Sequence, residues 1–251
     1  MSHLTEEQIE AFERDGFVVV RGFYDDQEMA QIKHWVEEVQ AYPDAPGKYQ
    51  RYYEDSLAEP GQRLLNRMEN FSPYHRGFAQ LFHNSKLQEA ISELFGEPAV
   101  LFKEKINFKF PGGDGFKPHQ DHQAGWWKYN NLCITALICI DEANQENGCL
   151  EIAPGKHKSG MFKGWTPLSE EEMKEMEFIS CPTQPGDMIL FDSFTPHGSQ
   201  PNLTDKQRRL LFITYNRLSE GDTREQYYED KRKSYPQDCE REEGKEYVFR
   251  V

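Results

Sequence analysis

The chain has 251 residues, of which 37% are hydrophobic and 13% aromatic. This length and composition predict one folded domain with a sizeable core and exclude a disordered chain. The formal net charge of −14 argues against DNA or RNA as a partner, because both backbones are anionic. We recognise neither a signal peptide nor an apolar run of about 20 residues. With five cysteines and no CxxC pair, we therefore expect a cytoplasmic protein without a membrane partner.

The N-terminal part, about residues 1–97, is predicted to be mainly helical. Two capping boxes, Thr5–Gln8 and Asp25–Glu28, mark helix starts. Apolar residues at helical spacing follow each of them. The predicted elements are a helix to about Arg14, a strand over 17–20, a helix to about Gln40, a loop over 41–61, and one or two helices over 78–95.

From Ala99 the apolar pattern changes to period two, which is typical of strands. Short strands separated by Gly and Pro turns follow, at 132–140, 149–152, 188–191 and 209–215. Helices followed by many short strands predict an all-β sandwich or barrel with N-terminal helices. The polar, Tyr-rich segment 218–251 is expected to wrap the surface as a C-terminal extension.

The stretch from Lys117 to His122 carries the first candidate metal ligands. His119 and Asp121 are two residues apart, so on a strand both project to the same face. His197, which follows the predicted strand at 188–191, is the best candidate for a third ligand. Two histidines and one carboxylate form the facial triad of non-haem iron(II) oxygenases, which leaves positions open for a cosubstrate and dioxygen.

Arg208 adds a second signal, eleven residues after His197 on the next predicted strand. A guanidinium can donate two parallel hydrogen bonds to a carboxylate. A cosubstrate with a carboxylate at its far end, such as 2-oxoglutarate, needs such a partner. Arg209 is expected to point to the opposite face. Two alternatives remain open at this stage. A cupin-like metal- or ligand-binding protein without turnover does not need Arg208, and a zinc hydrolase uses the same ligands with water as the nucleophile.

Six motifs occur along the chain in the following order: His119-Gln-Asp121, Glu146-Asn-Gly-Cys-Leu-Glu151, Pro154-Gly-Lys-His157, Pro185-Gly-Asp187, His197-Gly-Ser-Gln-Pro-Asn202 and Arg208. Together they resemble the phytanoyl-CoA dioxygenase family of iron(II)/2-oxoglutarate oxygenases, which includes ectoine hydroxylase. The likeness covers roughly residues 5–217.

The resemblance implies a mainly β fold, with a double-stranded β-helix (jelly-roll, cupin-like) core and N-terminal helices packed on it. It implies a single dioxygenase domain over 1–251, with the core at about 98–217. The implied reaction uses Fe(II), O₂ and 2-oxoglutarate, releases succinate and CO₂, and hydroxylates an unactivated C–H bond. Halogenating relatives lose the carboxylate ligand, so Asp121 favours hydroxylation.

The resemblance also assigns residues around the cosubstrate. Arg208 matches the arginine that holds the distal carboxylate of 2-oxoglutarate, and Ser199 matches a serine that assists it. Asn107 and Lys103 match polar cosubstrate contacts. Thr135, on the next predicted strand, is a further candidate pocket residue.

We expect the substrate to be a small polar metabolite, because the predicted pocket strand is rich in Lys and Asn. A zwitterion or phosphonate, such as 2-aminoethylphosphonate, fits Lys105 or Lys109 for the anion and Glu69 for the amine. Trp126 is a candidate pocket wall, with loop packing as the alternative. The segment 227–232 is read either as a lid or as a solvated helix.

Overall fold

The computed structural model of the protein describes residues 2–248. Its first helices start where the sequence offers caps: the hydroxyl of Thr5 accepts a hydrogen bond from the amide of Gln8, and the carboxylate of Asp25 accepts one from the amide of Glu28. Such caps satisfy amides that lack a partner in the first turn. The helices are α1 (Glu6–Asp15), α2 (Asp26–Gln40), α3 (Arg76–Phe82), α4 (Lys86–Phe95), α5 (Glu170–Met173) and α6 (Arg224–Ser234).

Within the described residues there are eleven strands, five in the first half of the chain and six in the second. They are β1 (Phe17–Val20), β2 (Gln50–Asp55), β3 (Arg63–Glu69), β4 (Ala99–Lys109), β5 (Phe116–His119), β6 (Cys133–Cys139), β7 (Leu150–Ile152), β8 (Ile179–Cys181), β9 (Met188–Asp192), β10 (His197–Ser199) and β11 (Arg208–Arg217).

The strands form two sheets in which all neighbours are antiparallel. The larger sheet has the order β1-β9-β6-β11-β4-β3-β2, and the smaller one has the order β5-β10-β7-β8. From β4 to β11 the chain crosses repeatedly between the two sheets, as in a jelly roll. The predicted mainly β fold with N-terminal helices is confirmed.

The two faces of β4 explain why this strand is central to the site. Ile106 and Phe108 are fully buried in the main hydrophobic cluster, which also contains the inner faces of α3 and α4. Burying such a side chain contributes roughly 1.5–3 kcal/mol. The residues that alternate with them point away from the helices. Those that line the cavities between the sheets are Lys103, Lys105 and Asn107.

The predicted loop over 41–61 is wrong in its second half, where β2 forms. The sequence of β2, Gln-Arg-Tyr-Tyr-Glu-Asp, lacks the apolar alternation by which strands are recognised. β2 lies at the edge of the larger sheet. Charged side chains are favoured on edge strands because they discourage pairing with other chains.

The C-terminal extension contributes more than a surface cover. α6 packs against β4, and its Tyr227 and Tyr228 are buried. The helix is therefore part of the core beside the site, although its sequence is polar. Among residues 2–248, no helix combines the length and hydrophobicity that a membrane span requires.

Candidate active site

Two histidines from neighbouring strands and one aspartate lie together between the sheets. His197 on β10 pairs directly with His119 on β5, and their ring centroids are 4.5 Å apart. Oδ1 of Asp121 lies 4.0 Å from Nε2 of each histidine. All three side chains are buried, and their ligand atoms lie within 4.8 Å of one another. The structure thus brings together the three candidate metal ligands.

Asp121 lies in a different secondary structure from the one predicted. β5 ends at His119, and a 3₁₀ turn begins at Asp121. The expectation that both residues share a strand face is therefore wrong. The side chain of Gln120 anchors the chain where it leaves the strand, because its amide donates a hydrogen bond of 2.6 Å to the carbonyl oxygen of Phe194.

The hydrogen bonds of the two histidines leave Nε2 free for a metal. Nδ1 of His119 lies 2.7 Å from the carbonyl oxygen of Lys117, and Nδ1 of His197 lies 2.9 Å from that of Thr195. Since a carbonyl oxygen only accepts, each Nδ1 carries the proton and each Nε2 keeps a lone pair. Burial lowers the pKa of His119 to about 3 and also lowers the pKa of His197. Both rings are therefore neutral at neutral pH.

The carboxylate of Asp121 is ionised in the same environment. Burial raises its pKa, but His197 and Lys105 outweigh that effect and the pKa falls below its ordinary value. Neutral imidazoles and an ionised carboxylate are the forms that bind a divalent metal, and this donor set suits Fe(II). The hydroxyl of Thr135 lies 3.4 Å from Oδ2 of Asp121 and 2.8 Å from the hydroxyl of Thr214. The structure thus places Thr135 beside this carboxylate.

A small cavity of about 30 Å³ lies next to His197, with Arg208 in its wall. Arg208 is only 2% exposed, and its Nη2 donates a hydrogen bond of 2.6 Å to the carbonyl oxygen of Gly148. Burial lowers the pKa of Arg208 to about 10, which leaves the guanidinium charged at neutral pH. Within residues 2–248, no carboxylate forms an ion pair with it. A buried charge without a partner is unfavourable, so this cavity suits an anion.

Asn107 and Ser199 add polar groups to the small cavity. Oδ1 of Asn107 is buried and has no hydrogen-bond partner within the described part of the chain. Oγ of Ser199 accepts a hydrogen bond of 2.8 Å from Nζ of Lys109. Together with Arg208, these residues offer a guanidinium, an amide and a hydroxyl to one ligand. That set fits 2-oxoglutarate, which carries a carboxylate at each end.

A larger cavity of about 240 Å³ lies on the other side of the triad. His119 and Lys105 line both cavities, so the candidate metal ligands lie between them. Trp126 is only 2% exposed and forms part of the wall of the larger cavity, as one of its two predicted roles requires. The basic side chains of the larger cavity are Arg67, Lys103, Lys105, Lys128 and Lys231.

A buried carboxylate organises three of these basic residues. Oε1 of Glu69 accepts a hydrogen bond of 2.8 Å from Nε of Arg67, and its Oε2 lies 2.5 Å from Nζ of Lys231 and 3.5 Å from Nζ of Lys103. Burial raises the pKa of Glu69, but Lys103 and Lys231 outweigh it and the pKa falls well below its ordinary value. Burial lowers the pKa of Lys231 well below its usual range despite this contact. The carboxylate of Glu69 therefore does not offset the effect of burial on Lys231.

This arrangement changes two expectations about the substrate. Glu69 is already surrounded by basic groups, which disfavours the idea that it takes a substrate amine. Lys109 does not line the larger cavity, because its amine contacts Ser199 beside the smaller one. Lys103, expected beside the cosubstrate, lies in the larger cavity, where Nζ donates a hydrogen bond of 3.1 Å to the hydroxyl of Tyr227.

Sequence reasoning missed the contribution of α6 to the larger cavity. Tyr227 and Lys231 are four residues apart, so they lie on one face of the helix, and that face covers the cavity. The spacing was visible in the sequence. The partner of Lys231, however, is Glu69, which lies 162 positions earlier in the chain, and no local pattern connects the two.

Comparisons with known proteins agree with this site. The family model described as phytanoyl-CoA dioxygenase matches residues 12–210. A 2-aminoethylphosphonate dioxygenase of the uncultured bacterium HF130_AEPn_1 is 42% identical over 249 residues, which cover 98% of this chain and 95% of that protein. A methylphosphonate hydroxylase of Gimesia maris is 38% identical over 237 residues, 93% of this chain and 89% of that protein.

Among solved structures, the crystal structure of EctD from S. alaskensis with 2-oxoglutarate and 5-hydroxyectoine superposes with a TM-score of 0.74. The two chains are 23% identical, and the match covers 87% of this chain and 78% of the other. At this level of identity the likeness shows the jelly-roll fold.

Proposed function

Because the chain belongs to the phytanoyl-CoA dioxygenase family, we propose that it hydroxylates a small alkylphosphonate with Fe(II), 2-oxoglutarate and dioxygen. The protein is a 2-oxoglutarate-dependent non-haem iron oxygenase. Each turnover converts one C–H bond to C–OH and 2-oxoglutarate to succinate and CO₂, with one oxygen atom of O₂ entering each organic product. Family membership disfavours both the non-catalytic binding protein and the zinc hydrolase.

The observation that carries the phosphonate proposal is the excess of basic groups in the larger cavity. Lys103 and Lys231 share the carboxylate of Glu69, and Lys105 has no carboxylate partner within the described residues. Burial lowers the pKa of Lys105 to about 8. A phosphonate dianion offers three oxygen acceptors and two negative charges, so it compensates these bases better than a carboxylate does.

The names of the two relatives support the same substrate class. One is named for 2-aminoethylphosphonate and the other for methylphosphonate, and both align with more than nine tenths of this chain. The two compounds share the phosphonate group and differ at the other end. The shared group is the part that the basic cavity recognises, and we therefore assign the class rather than one compound.

We assign the site residues as follows. His119, Asp121 and His197 hold the iron through Nε2, a carboxylate oxygen and Nε2. Arg208, Ser199 and Asn107 hold 2-oxoglutarate in the small cavity. The bound iron and cosubstrate supply the oxidative chemistry, and the protein supplies position and exclusion of water.

The larger cavity orients the substrate. Lys103 and Lys231 bind the phosphonate oxygens from two directions, one from β4 and the other from α6. The carbon attached to phosphorus is then held towards His119 and Asp121, which line the same cavity. Holding the reacting C–H bond in one orientation converts binding energy into rate. Trp126 covers the site with an apolar ring.

A substrate panel tests the proposal. The purified protein with Fe(II), 2-oxoglutarate and O₂ is incubated with 2-aminoethylphosphonate, methylphosphonate, and the matched carboxylates β-alanine and acetate. We expect succinate to form in step with a hydroxylated phosphonate, detected by ³¹P NMR, and we expect no hydroxylated carboxylate. Equal turnover of the carboxylates, or succinate formation without any change in the phosphonates, would contradict the assignment.

A further inference from the structure

Lys109 lies behind Ser199 in the wall of the small cavity, next to Arg208. The two residues are paired across β4 and β11, and each is only 2% exposed. Nζ of Lys109 donates a hydrogen bond of 2.8 Å to Oγ of Ser199 and one of 2.5 Å to the carbonyl oxygen of Gln200. Both acceptors are neutral. Within residues 2–248, Lys109 forms no ion pair with a carboxylate.

Gly148 lies between these two basic residues. Its carbonyl oxygen accepts a hydrogen bond from Arg208, and a Cβ added at Gly148 would lie only 2.9 Å from Nζ of Lys109. Its positive φ of 72° is also one that glycine adopts easily. Two buried basic groups are therefore close together with only neutral acceptors around them. Burial, followed by the charge of Arg208, lowers the pKa of Lys109 to about 6.

Ser199 connects Lys109 to the cavity. The hydroxyl of Ser199 is in the cavity wall, whereas the amine of Lys109 is behind it. When Lys109 is an ammonium group, it can only donate to Oγ, so the hydroxyl proton of Ser199 points to another acceptor. When Lys109 is a neutral amine, its lone pair can accept that proton instead. The protonation state of Lys109 therefore sets the direction of the Ser199 hydroxyl.

We propose that Lys109 is a positioning residue for 2-oxoglutarate: its ammonium group directs the Ser199 hydroxyl towards the distal carboxylate that Arg208 binds. The proposal rests on the assignment of the small cavity to the cosubstrate. The incoming carboxylate supplies the negative charge that Lys109 and Arg208 lack. Binding of the dianion and protonation of Lys109 then favour each other.

Protonation of Lys109 on binding of 2-oxoglutarate distinguishes the positioning role of this residue from a purely structural role. The titratable and charged groups that act on Lys109 are Glu54 of β2, Asp114 in the turn after β4, Cys149 before β7, and Arg208 of β11. None of them is a candidate metal ligand. At pH 7.5 the free amine is mainly neutral, because its pKa is about 6. When 2-oxoglutarate binds, the pKa of Lys109 rises and up to one proton is taken up from the buffer.

Anaerobic calorimetry of the Fe(II)-loaded protein tests this. Titration with 2-oxoglutarate at pH 7.5, in buffers of different ionisation enthalpy, measures both the affinity and the number of protons taken up. We expect Lys109→Met to bind about tenfold more weakly and to lose the proton uptake. Lys109→Arg restores the cation and should recover most of the affinity. In steady state, Lys109→Met should raise the KM for 2-oxoglutarate and leave the KM for the phosphonate unchanged.

Lys86→Met is the matched control. Lys86 is a partly buried lysine on α4 that bonds to Glu28 and to the carbonyl oxygen of Phe23, so its loss affects packing without touching the cavity. It should change neither affinity nor proton uptake. Wild-type affinity and wild-type proton uptake in Lys109→Met would overturn the proposal.

A second variant covers the case in which Lys109→Met does not fold. Ser199→Ala removes the connecting hydroxyl, and it should lower the affinity and the proton uptake in the same way. Retention of both by Ser199→Ala would overturn the proposal. Failure of the underlying cavity assignment looks different: in that case Arg208→Ala itself leaves 2-oxoglutarate binding unchanged.

Discussion

The two cavities on either side of the His-Asp-His triad differ in the basic groups that can bind an anion. The smaller one has a single guanidinium held by backbone carbonyl oxygens, with a hydroxyl and an amide beside it. The larger one gathers Arg67, Lys103 and Lys231 around the buried carboxylate of Glu69. The first arrangement suits one carboxylate of fixed shape. The second suits a group with more charge and more acceptor oxygens.

The two cavities also differ in the part of the chain that builds them. The small cavity uses β4, β5, β7, β10 and the start of β11, and its lining residues other than Phe212 lie within the span that the family model matches. The larger one adds α6 and residues as far as Val248, beyond the end of that span at residue 210. Under the proposed assignment, the shared jelly roll therefore carries the cosubstrate chemistry, and the C-terminal extension contributes to substrate recognition.

Arg208→Ala is expected to have the largest effect, and it tests whether the small cavity binds 2-oxoglutarate. The variant removes the guanidinium that lines the small cavity, and loss of a charge-assisted hydrogen bond of about 3 kcal/mol corresponds to a roughly 100-fold weaker affinity for 2-oxoglutarate. Binding of 2-oxoglutarate under anaerobic conditions with Fe(II), followed by the visible charge-transfer band, measures it.

Arg209→Ala is the neighbouring control. Arg209 pairs with Asp141 on the outer side of the sheet through two hydrogen bonds of 2.7 and 2.9 Å, so its loss should reduce stability and leave 2-oxoglutarate affinity unchanged. If Arg208→Ala instead weakened only the phosphonate, the assignment of the two cavities would have to be reversed.

A smaller effect on the other cavity is expected from Lys231→Met. Loss of a charged hydrogen bond of about 2 kcal/mol predicts a roughly 30-fold higher KM for the phosphonate, with the KM for 2-oxoglutarate unchanged. Lys233→Met on the same helix is the control, since its side chain is 73% exposed. Equal effects of the two variants would mean that α6 acts through general charge rather than through a contact with the substrate.

The sequence predicts the first cavity better than the second for a physical reason. His119, His197 and Arg208 occur in short motifs on strands, where alternation indicates which side chains share a face. The bases of the larger cavity come from β3, β4 and α6, and they meet only through the tertiary fold. The sequence therefore predicts that Lys231 belongs to a lid or to a solvated helix, whereas in the structure it contacts Glu69.

Two local predictions failed for the same kind of reason. Asp121 was placed on a strand because it is two residues from His119, but the side chain of Gln120 bonds to the carbonyl oxygen of Phe194 and a 3₁₀ turn follows. The charged sequence of β2 predicts a loop, whereas the segment forms a strand by pairing with β3. In both cases, contacts with distant segments outweigh local preference.

The smallest predicted effect tests whether α6 acts on the substrate through Lys103. The hydroxyl of Tyr227 accepts a hydrogen bond from Lys103 in the larger cavity, whereas the hydroxyl of the adjacent Tyr228 donates one of 3.3 Å to the backbone oxygen of Glu104. Tyr227→Phe removes a hydrogen bond of about 1 kcal/mol and should raise the KM for the phosphonate about fivefold. Tyr228→Phe removes a similar bond away from the cavity, so thermal stability should fall while that KM stays constant. The two substitutions are chemically identical and adjacent on one helix. A higher KM in Tyr227→Phe alone would therefore show that the contact with Lys103 matters for the substrate.

Equal KM values would show that Lys103 keeps its position without the hydroxyl of Tyr227, and α6 would then contribute to recognition through Lys231 alone.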